Sequence, residues 1–221
     1  NVSRADQEAF AVESHRKAAA ARAQGRLAGE IVPVRLASGE VVDADGCIRP
    51  ATSAEALAGL KPAFRPDGVV TAGTSSPLTD GAATVLVTSD AFAAKHGLQA
   101  LARIRAFATV GVDPAVMGIG PIPATRKALA RAGLKAADLD VIELNEAFSS
   151  QALACIRDLG LDAARINLDG GGLAIGHPLG ATGARITGKA ASLLARENGR
   201  YALATQCIGG GQGIATILER V

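Results

Sequence analysis

The sequence predicts an α/β fold arranged in layers around a largely buried sheet. From residue 101 onward, apolar segments of strand length alternate with longer segments whose apolar residues recur at helical spacing. Strands that alternate with helices are typical of proteins in which helices cover a sheet. Hydrophobic residues make up 48% of the 221 positions, whereas aromatic residues make up only 3%. We therefore expect a core of Ala, Val, Ile and Leu.

The first hundred residues contain shorter and less regular elements. Ser3 followed by Asp6 is a capping-box pattern, and the Ala-rich segment behind it predicts one long helix to Gly25. Residues 31–36 and 40–42 flank a turn and predict a hairpin. The remaining elements predicted here are a short helix from a Thr52 cap to Leu60, a buried strand at residues 82–87 and a helix to His96.

The alternation of strands and helices becomes regular after residue 100. We expect a strand wherever an aliphatic run is short, and a helix wherever the apolar spacing is three to four residues. The predicted elements are a strand at 101–110, a loop at 117–121, a helix at 123–132, a strand at 140–144, a helix at 147–159, a strand at 165–168, a Gly-rich turn, a helix at 180–197 and strands at 201–206 and 214–219.

Composition and charge exclude several functional classes. A net charge of +2, without a basic stripe or stacking aromatics, gives no support to nucleic-acid binding. Cys47, Cys155 and Cys207 are odd in number and far apart, which favours a cytoplasmic, reducing location. No apolar run reaches the roughly 18–20 residues of a membrane span. The acidic turn at residues 43–46 lacks two ligands of a calcium loop, so no metal is expected.

Three polar signatures lie in apolar, Gly-rich surroundings. They read N-E-A-F at residues 145–148, G-H-P at 176–178 and C-I-G-G-G-Q-G at 207–213. Each one follows a predicted strand or a Gly-rich turn, where side chains and backbone N–H groups face a cleft. An amide, an imidazole, a thiol and a set of backbone donors suit acyl chemistry.

The Gly-rich runs at residues 170–172 and 209–211 have two readings. Backbone N–H groups there could approach either a phosphate or a carbonyl oxygen that gains negative charge. Neither run forms the dinucleotide pattern G-x-G-x-x-G. A near match to a phosphate loop ends at Lys189, but Ala190 stands where Ser or Thr would hold magnesium. The motifs therefore give little support to nucleotide hydrolysis.

Taken singly, each polar residue of the signatures has an ordinary structural explanation. A lone His177 is more often structural than catalytic. Cys207 alone is an inert buried thiol, whereas beside three glycines it is a candidate nucleophile or base. Asn145 alone stabilises a turn at a strand end. It is their occurrence together that favours a catalytic site.

With these motifs in order, the chain resembles the C-terminal portion of thiolases, enzymes that make or cleave 3-ketoacyl-CoA by Claisen condensation or its reverse. The resemblance rests on N-E-A-F, on G-G-G-L-A-I-G-H-P-L-G-A-T-G-A-R at residues 170–185 and on C-I-G-G-G-Q-G, and it extends over the first helix and residues 70–83. It implies a layered α-β-α fold. It also implies a domain order of loop domain at 1–79, returning N-terminal-domain segment at 80–100 and C-terminal domain at 101–221.

The resemblance implies a role for particular residues. Cys207 corresponds to the thiol that exchanges the α-proton of acetyl-CoA, His177 to the imidazole that activates the nucleophilic Cys, and Asn145 to the residue that holds a water in an oxyanion hole. The other positions with implied roles are Gly209 in the second oxyanion hole, Ser76 and Arg49 on CoA, and Met117, Ala147 and Phe148 around the acyl group. CoA and acyl-CoA would be substrates, and no cofactor is implied.

The chain departs from the family in one respect. The acyl-accepting Cys of a thiolase lies in an N-terminal half, and neither Cys47 nor Cys155 has its context. We therefore expect a partner half on the same or a separate chain, no activity from the chain alone, and a homodimer or homotetramer. Two alternatives stay open at this point. One is a CoA- or acyl-binding relative without catalysis, and the other is a ketosynthase-type enzyme, although that type has a second His where this chain has Cys207.

Overall fold

A computed structural model describes residues 2–221, so Asn1 lies outside the described part of the chain. Seven helices and six strands occur along it, and 3-10 turns lie in several of the connections. The helices are α1 (Arg4–Ala23), α2 (Ala54–Ala58), α3 (Asp90–Lys95), α4 (Pro121–Ala132), α5 (Ser149–Leu159), α6 (Gly172–Ile175) and α7 (Thr182–Arg196). The strands are β1 (Val34–Arg35), β2 (Val41–Val42), β3 (Ala102–Gly111), β4 (Val141–Leu144), β5 (Tyr201–Ile208) and β6 (Gln212–Arg220).

The main sheet has four strands in the order β3-β6-β5-β4. β6 is antiparallel to both β3 and β5, whereas β4 is parallel to β5, with Leu144 opposite Thr205. The carboxyl ends of β4 and β5 therefore lie at the same edge of the sheet, termed the carboxyl edge below. β4 ends at Leu144, opposite Thr205, whereas β5 continues to Ile208, so the last residues of β5 extend beyond the end of β4.

Side chains that alternate along the strands form two cores, one on each face. On β5, Leu203 belongs to the core with α4 and α5, whereas Ala202 and Ala204 belong to the core with α7. Because successive residues of a strand point to opposite faces, one strand serves both cores. This arrangement confirms the predicted layered α-β-α fold, and the cores consist almost entirely of aliphatic side chains.

The sheet is less buried than its sequence predicts, because β3 is an edge strand with an open face. Ile104 is 46% exposed and Phe107 is 58% exposed. The segment before it is open as well, with Leu86 at 73% and Val87 at 66%. Apolar surface of this extent on consecutive segments is typical of a face that another polypeptide covers.

Three local predictions are wrong. Residues 82–87 form no strand, because no other described strand lies beside them to complete a hydrogen-bond ladder. Residues 165–168 form only a single bridge, Ile142 to Ile166, because Asn167 takes a left-handed φ of 45° that ends an extended run. The cap of α2 is Ser53 and not Thr52, since the Ser53 side chain accepts from the Ala56 amide.

The start of the chain follows its sequence signals closely. Ser3 and Asp6 form the reciprocal capping box at the start of α1, and β1 and β2 form the predicted hairpin, although each has only two residues. α1 packs against α5 and α6 and so lies next to the carboxyl edge. Within residues 2–221, no helix has the length and apolar character that crossing a membrane requires.

Candidate functional site

Asn145 lies directly after β4 at the carboxyl edge. Its backbone N–H donates to the backbone O of Thr205 at 3.0 Å, which continues the pairing with β5 by one residue. The side chain is fully buried, and its Nδ2 is 3.2 Å from Nε2 of His177. Its Oδ1 has no hydrogen-bond partner among the residues that the structure describes. A buried amide oxygen without a partner is costly in a folded protein, so this atom is a candidate to bind water or substrate.

His177 reaches Asn145 from a separate loop that follows α6. The preceding Gly176 has φ 103°, and a Cβ there would lie 2.7 Å from Thr79, so glycine is required both by conformation and by space. The His177 amide then donates to Thr79 Oγ1 at 3.2 Å. These contacts hold the G-H-P turn against the segment that contains Thr79.

The tautomer of His177 follows from its second partner. Thr182 Oγ1 donates its hydrogen to Pro178 O at 3.0 Å and lies 2.7 Å from Nδ1 of His177. The hydroxyl therefore accepts from Nδ1–H, which leaves Nε2 as an acceptor for the Asn145 amide. Burial, together with the positive charge of Arg185, lowers the pKa of His177. The lowered pKa keeps the ring neutral near pH 7, and the lone pair of Nε2, which accepts from Asn145 Nδ2, is where the ring can take a proton.

Cys207 lies on the part of β5 that extends beyond β4. Its thiol is buried, and burial raises its pKa, an effect partly offset by a backbone hydrogen bond. The thiol form therefore predominates before substrate binds, which suits a proton donor. Across the hairpin, Cys207 is paired with Gly213, and Gly213 is packed so tightly against Gly120 that a Cβ would lie 2.1 Å from Gly120 O.

The two Gly-rich runs have different roles. Nothing lies within 4 Å of the position that a Cβ would take at Gly209 or Gly210, so these two residues are open, whereas Gly211 is packed against Val112 and Pro114. The run at residues 170–172 is closed, because the Gly171 amide donates to Ser14 Oγ and Gly170 packs against α1. The prediction that this first run offers backbone donors to a ligand is therefore wrong.

One residue assigned to substrate binding, Ser76, lies at the same cleft as His177. Ser76 and His177 line a surface cleft of about 400 Å³ together with Thr79 and Leu179. Both the amide and the hydroxyl of Ser76 donate to Ala147 O, at 3.0 and 3.1 Å. These two hydrogen bonds hold the Ser76 segment, which lines the cleft, against the N-E-A-F turn.

The other predicted substrate residues are less closely placed. The Phe148 ring contacts Phe64 edge to face, with centroids 6.1 Å apart. Met117 is half-buried in the 3-10 turn before α4. Arg49 is exposed, and its backbone amide donates to His15 Nδ1. In the described part of the chain, no hydrogen bond joins Arg49 or Cys207 to the Asn145–His177 pair.

Three residues of the site carry no role in the sequence analysis. Thr182 sets the tautomer of His177, and Glu146 and Ser14 hydrogen-bond beneath the N-E-A-F turn at 2.6 Å. Thr182 and Glu146 lie inside the motifs of the sequence analysis, so their place in those motifs could have indicated a role at the site. Ser14 has none, because its partner lies 132 residues away in the chain. Among the described residues, no group of three or more His, Cys, Asp or Glu is placed to hold a metal ion.

Fold and site together define a layered α-β-α protein whose amide and imidazole groups meet at the carboxyl edge of its sheet. Residues 98–220 match the family described as thiolase, C-terminal domain, and residues 1–91 match thiolase, N-terminal domain. The chain therefore belongs to the thiolase family.

Known relatives support this assignment. The chain is 54% identical to an Escherichia coli 3-oxoadipyl-CoA/3-oxo-5,6-dehydrosuberyl-CoA thiolase over all of its own length and 56% of the relative's. It is 53% identical to an acetyl-CoA acetyltransferase of Paracoccus denitrificans, with 99% of this chain and 57% of the relative covered. Human mitochondrial 3-ketoacyl-CoA thiolase in complex with CoA superimposes with a TM-score of 0.92 at 39% identity, covering 100% of this chain and 55% of that one. The chain thus spans a little over half the length of these relatives.

Proposed function

We propose that this chain carries the acid/base and oxyanion-stabilising groups of a thiolase acyltransferase. The reaction is cleavage of a 3-ketoacyl-CoA by CoA, or the reverse Claisen condensation of two acyl-CoA molecules. The observation that carries the proposal is the hydrogen bond between Asn145 and His177 at the edge where the strand of Cys207 ends. The relatives' names, which include 3-ketoacyl-CoA thiolase and acetyl-CoA acetyltransferase, support it.

In the thiolytic direction, the first step needs a base. A nucleophilic thiol attacks C3 of the substrate, and its proton goes to Nε2 of the neutral His177, which gives up the hydrogen bond from Asn145 as it is protonated. The C2–C3 bond then breaks, and its electron pair forms the enolate of acetyl-CoA. The imidazole, now protonated, and the Asn145 amide face the oxygen on which this charge develops.

The second proton transfer is assigned to Cys207. The enolate takes a proton at C2 from the Cys207 thiol and becomes acetyl-CoA. Burial raises the pKa of this thiol and so keeps it protonated before the transfer. A second CoA then transfers its thiol proton to the Cys207 thiolate and attacks the acyl–enzyme thioester. The enzyme thiolate leaves, takes back the proton held by His177, and the shortened acyl-CoA is released. The open turn at Gly209 is the proposed backbone donor for the tetrahedral intermediates of acyl transfer. Ser76, Ala147, Met117, Phe148 and Arg49 are the proposed contacts to CoA and the acyl group.

The nucleophilic thiol is proposed to come from a polypeptide equivalent to the part of the relatives that this chain does not match. The exposed apolar residues of β3 and of the segment before it are its proposed contact surface. A homodimer or homotetramer in the cytoplasm remains part of this proposal.

The test is turnover of acetoacetyl-CoA and CoA by the complete natural protein, with acetyl-CoA detected by mass spectrometry. We expect two acetyl-CoA molecules per acetoacetyl-CoA consumed. Binding of CoA without any turnover would instead favour the alternative, a CoA-binding protein that has lost catalysis. Calorimetric titration with CoA under the same conditions separates these two outcomes from failure to bind.

A further inference from the structure

Glu146, the second residue of N-E-A-F, is a buried carboxylate that the proposed chemistry does not use. Its side chain is only 2% exposed. Oε2 accepts from Ser14 Oγ at 2.6 Å and from the Leu173 amide at 3.2 Å, and Oε1 accepts from Asn167 Nδ2 at 2.7 Å. All three donors are neutral. A buried charge is expensive unless hydrogen bonds compensate it, so these contacts form a built site for this side chain.

One of these hydrogen bonds connects the two loops that carry Asn145 and His177, and the other two join the same carboxylate to α1 and to Asn167. Glu146 is the chain neighbour of Asn145, so any movement of its carboxylate moves the turn at the end of β4. Leu173 is the second residue of α6, and α6 ends at Ile175, so that only Gly176 separates it from His177. The hydrogen bond from the Leu173 amide therefore holds the helix that leads into the imidazole against the turn that carries the amide.

The packing around the carboxylate leaves no freedom for another arrangement. A Cβ at Gly171 would lie 2.2 Å from Glu146 Cδ, so only glycine allows the loop before α6 to approach so closely. A Cβ at Gly172 would lie 3.0 Å from Asn145 Oδ1. The loop is therefore in contact with both neighbours, the carboxylate and the amide.

Ser14 of α1 closes this set of contacts into a ring. Its hydroxyl donates to Glu146 Oε2 and accepts from the Gly171 amide at 3.1 Å. Asn167 completes the other side, because its Oδ1 accepts from the Leu144 amide while its Nδ2 donates to Leu144 O and to Glu146. The end of β4, the loop before α6 and helix α1 are thus joined at one carboxylate.

We infer that Glu146 is a positioning residue, which sets the distance between the Asn145 amide and the His177 imidazole through Ser14 and the Leu173 amide. The inference rests on the proposed function for its effect on catalysis, but its geometric part does not depend on turnover. A displacement of about 1 Å at a catalytic group can cost on the order of 100-fold in rate. The effect is therefore expected in kcat and not in the KM for CoA.

The first experiment compares Glu146→Gln and Ser14→Ala with Asp140→Asn in the complete natural protein. Asp140 Oδ2 also accepts two backbone N–H groups, from Arg200 and Tyr201, but at the opposite end of β4. We expect Glu146→Gln to lower kcat about 10- to 100-fold and Ser14→Ala to lower it less, with little change in KM. Asp140→Asn should leave both constants unchanged. Equal losses of kcat in Asp140→Asn and Glu146→Gln would overturn the inference.

The second experiment reads the imidazole directly by 15N NMR. The chain has three His residues, and a His177→Ala sample assigns the signals of His177. We expect Glu146→Gln and Ser14→Ala to shift the Nε2 signal of His177 while the signals of the exposed His96 stay in place. An unchanged His177 signal in both variants would overturn the inference. A shifted signal in a protein without thiolase turnover would uphold the positioning and refute only the proposed function.

A double-variant comparison separates positioning from general loss of stability. In a His177→Ala background, Glu146→Gln should cause little further loss of kcat, because the group that it positions is absent. The same loss of kcat in both backgrounds would show that Glu146 acts on the fold and not on His177.

Discussion

The two ends of the β4–β5 strand pair differ in how completely their polar groups are hydrogen-bonded. At the amino end, Asp140 caps the pair, because its Oδ2 accepts from the Arg200 and Tyr201 amides at 2.7 and 3.0 Å. At the carboxyl edge, three buried polar atoms have no hydrogen-bond partner within residues 2–221. They are Asn145 Oδ1, Ser149 Oγ and Gln206 Oε1. The strand pairing is the same, but only one end has its hydrogen-bonding capacity satisfied.

This difference has a physical meaning. Buried polar groups are almost always hydrogen-bonded, and an exception costs stability. A cluster of exceptions at the end of two parallel strands, beside a neutral imidazole, indicates groups kept free for a ligand. The amino end lacks such groups and serves only to fix the register of β4 on β5. Substitutions at the two ends should therefore change different properties of the protein.

The largest effect is expected from Cys207→Ala at the carboxyl edge. Loss of a general acid/base typically costs about 10²–10⁴-fold, so Claisen condensation and α-proton exchange should be abolished, while acyl transfer to the nucleophile survives. Exchange of deuterium into acetyl-CoA, followed by NMR, measures this step alone. Cys155→Ala is the matched control, because Cys155 is a buried thiol on α5 whose pKa is raised to about 12. Condensation at a near-normal rate in Cys207→Ala would refute its assignment.

The next largest effect concerns His177 and Asn145 as one unit. Removing a single oxyanion donor costs roughly 10²–10³-fold in turnover. Because the two side chains hydrogen-bond to each other and are proposed to stabilise the same oxygen, the double variant should lose much less than the product of the single losses. Steady-state kinetics of His177→Ala, Asn145→Ala and the double variant provide the test. Strictly multiplicative losses would mean that the two residues serve separate steps.

Glu143, between the two ends, should make stability depend on pH. It is 1% exposed, neither carboxylate oxygen has a hydrogen-bond partner, and Arg185 Nη1 is 3.7 Å away. Burial raises its pKa from the ordinary 4.5 to about 7, and Arg185 only partly offsets this. The folded state thus binds the proton more tightly than the unfolded state. Its contribution to stability is full below pH 4.5 and is lost as the pH rises through about 7.

Glu143→Gln tests this expectation. The amide does not ionise, so the variant should gain up to about 3 kcal/mol over the natural protein above pH 7, at roughly 1.4 kcal/mol per pKa unit. Below pH 4.5 the difference should vanish. Urea unfolding at a series of pH values measures it. A stability difference that stays constant from pH 4 to 9 would show that Glu143 does not titrate in this range.

The smallest effect is expected from Asp140→Asn at the amino end. The amide oxygen still accepts from the Arg200 and Tyr201 amides, but without the charge, so the loss of unfolding free energy should be about 1 kcal/mol. Thiolase activity should stay unchanged. Urea unfolding and acetoacetyl-CoA thiolysis on the same sample provide both measurements. A loss of activity larger than the loss of stability explains would remove the contrast between the two ends.

The sequence alone was sufficient for the alternation of elements and for the motifs. Apolar periodicity located β3 to β6 and the long helices to within a few residues, because it reports directly on which side chains must leave water. It was wrong for residues 82–87, since an apolar run becomes a strand only when another strand pairs with it. It was wrong for residues 165–168, where one left-handed residue, Asn167, ends the extended run. The apolar pattern of β3 likewise did not predict that one face of this strand is exposed.

The site shows the same division. The residue types, their order and their family were determined by the sequence, because N-E-A-F, G-H-P and C-I-G-G-G-Q-G name the chemical groups. Only the tertiary structure decided which groups meet. It paired Asn145 with His177, assigned the His177 proton through Thr182, and placed Ser14 of α1 under Glu146. Contacts such as the last join residues far apart in the chain, and their geometry depends on how helices and strands pack, which no local pattern contains.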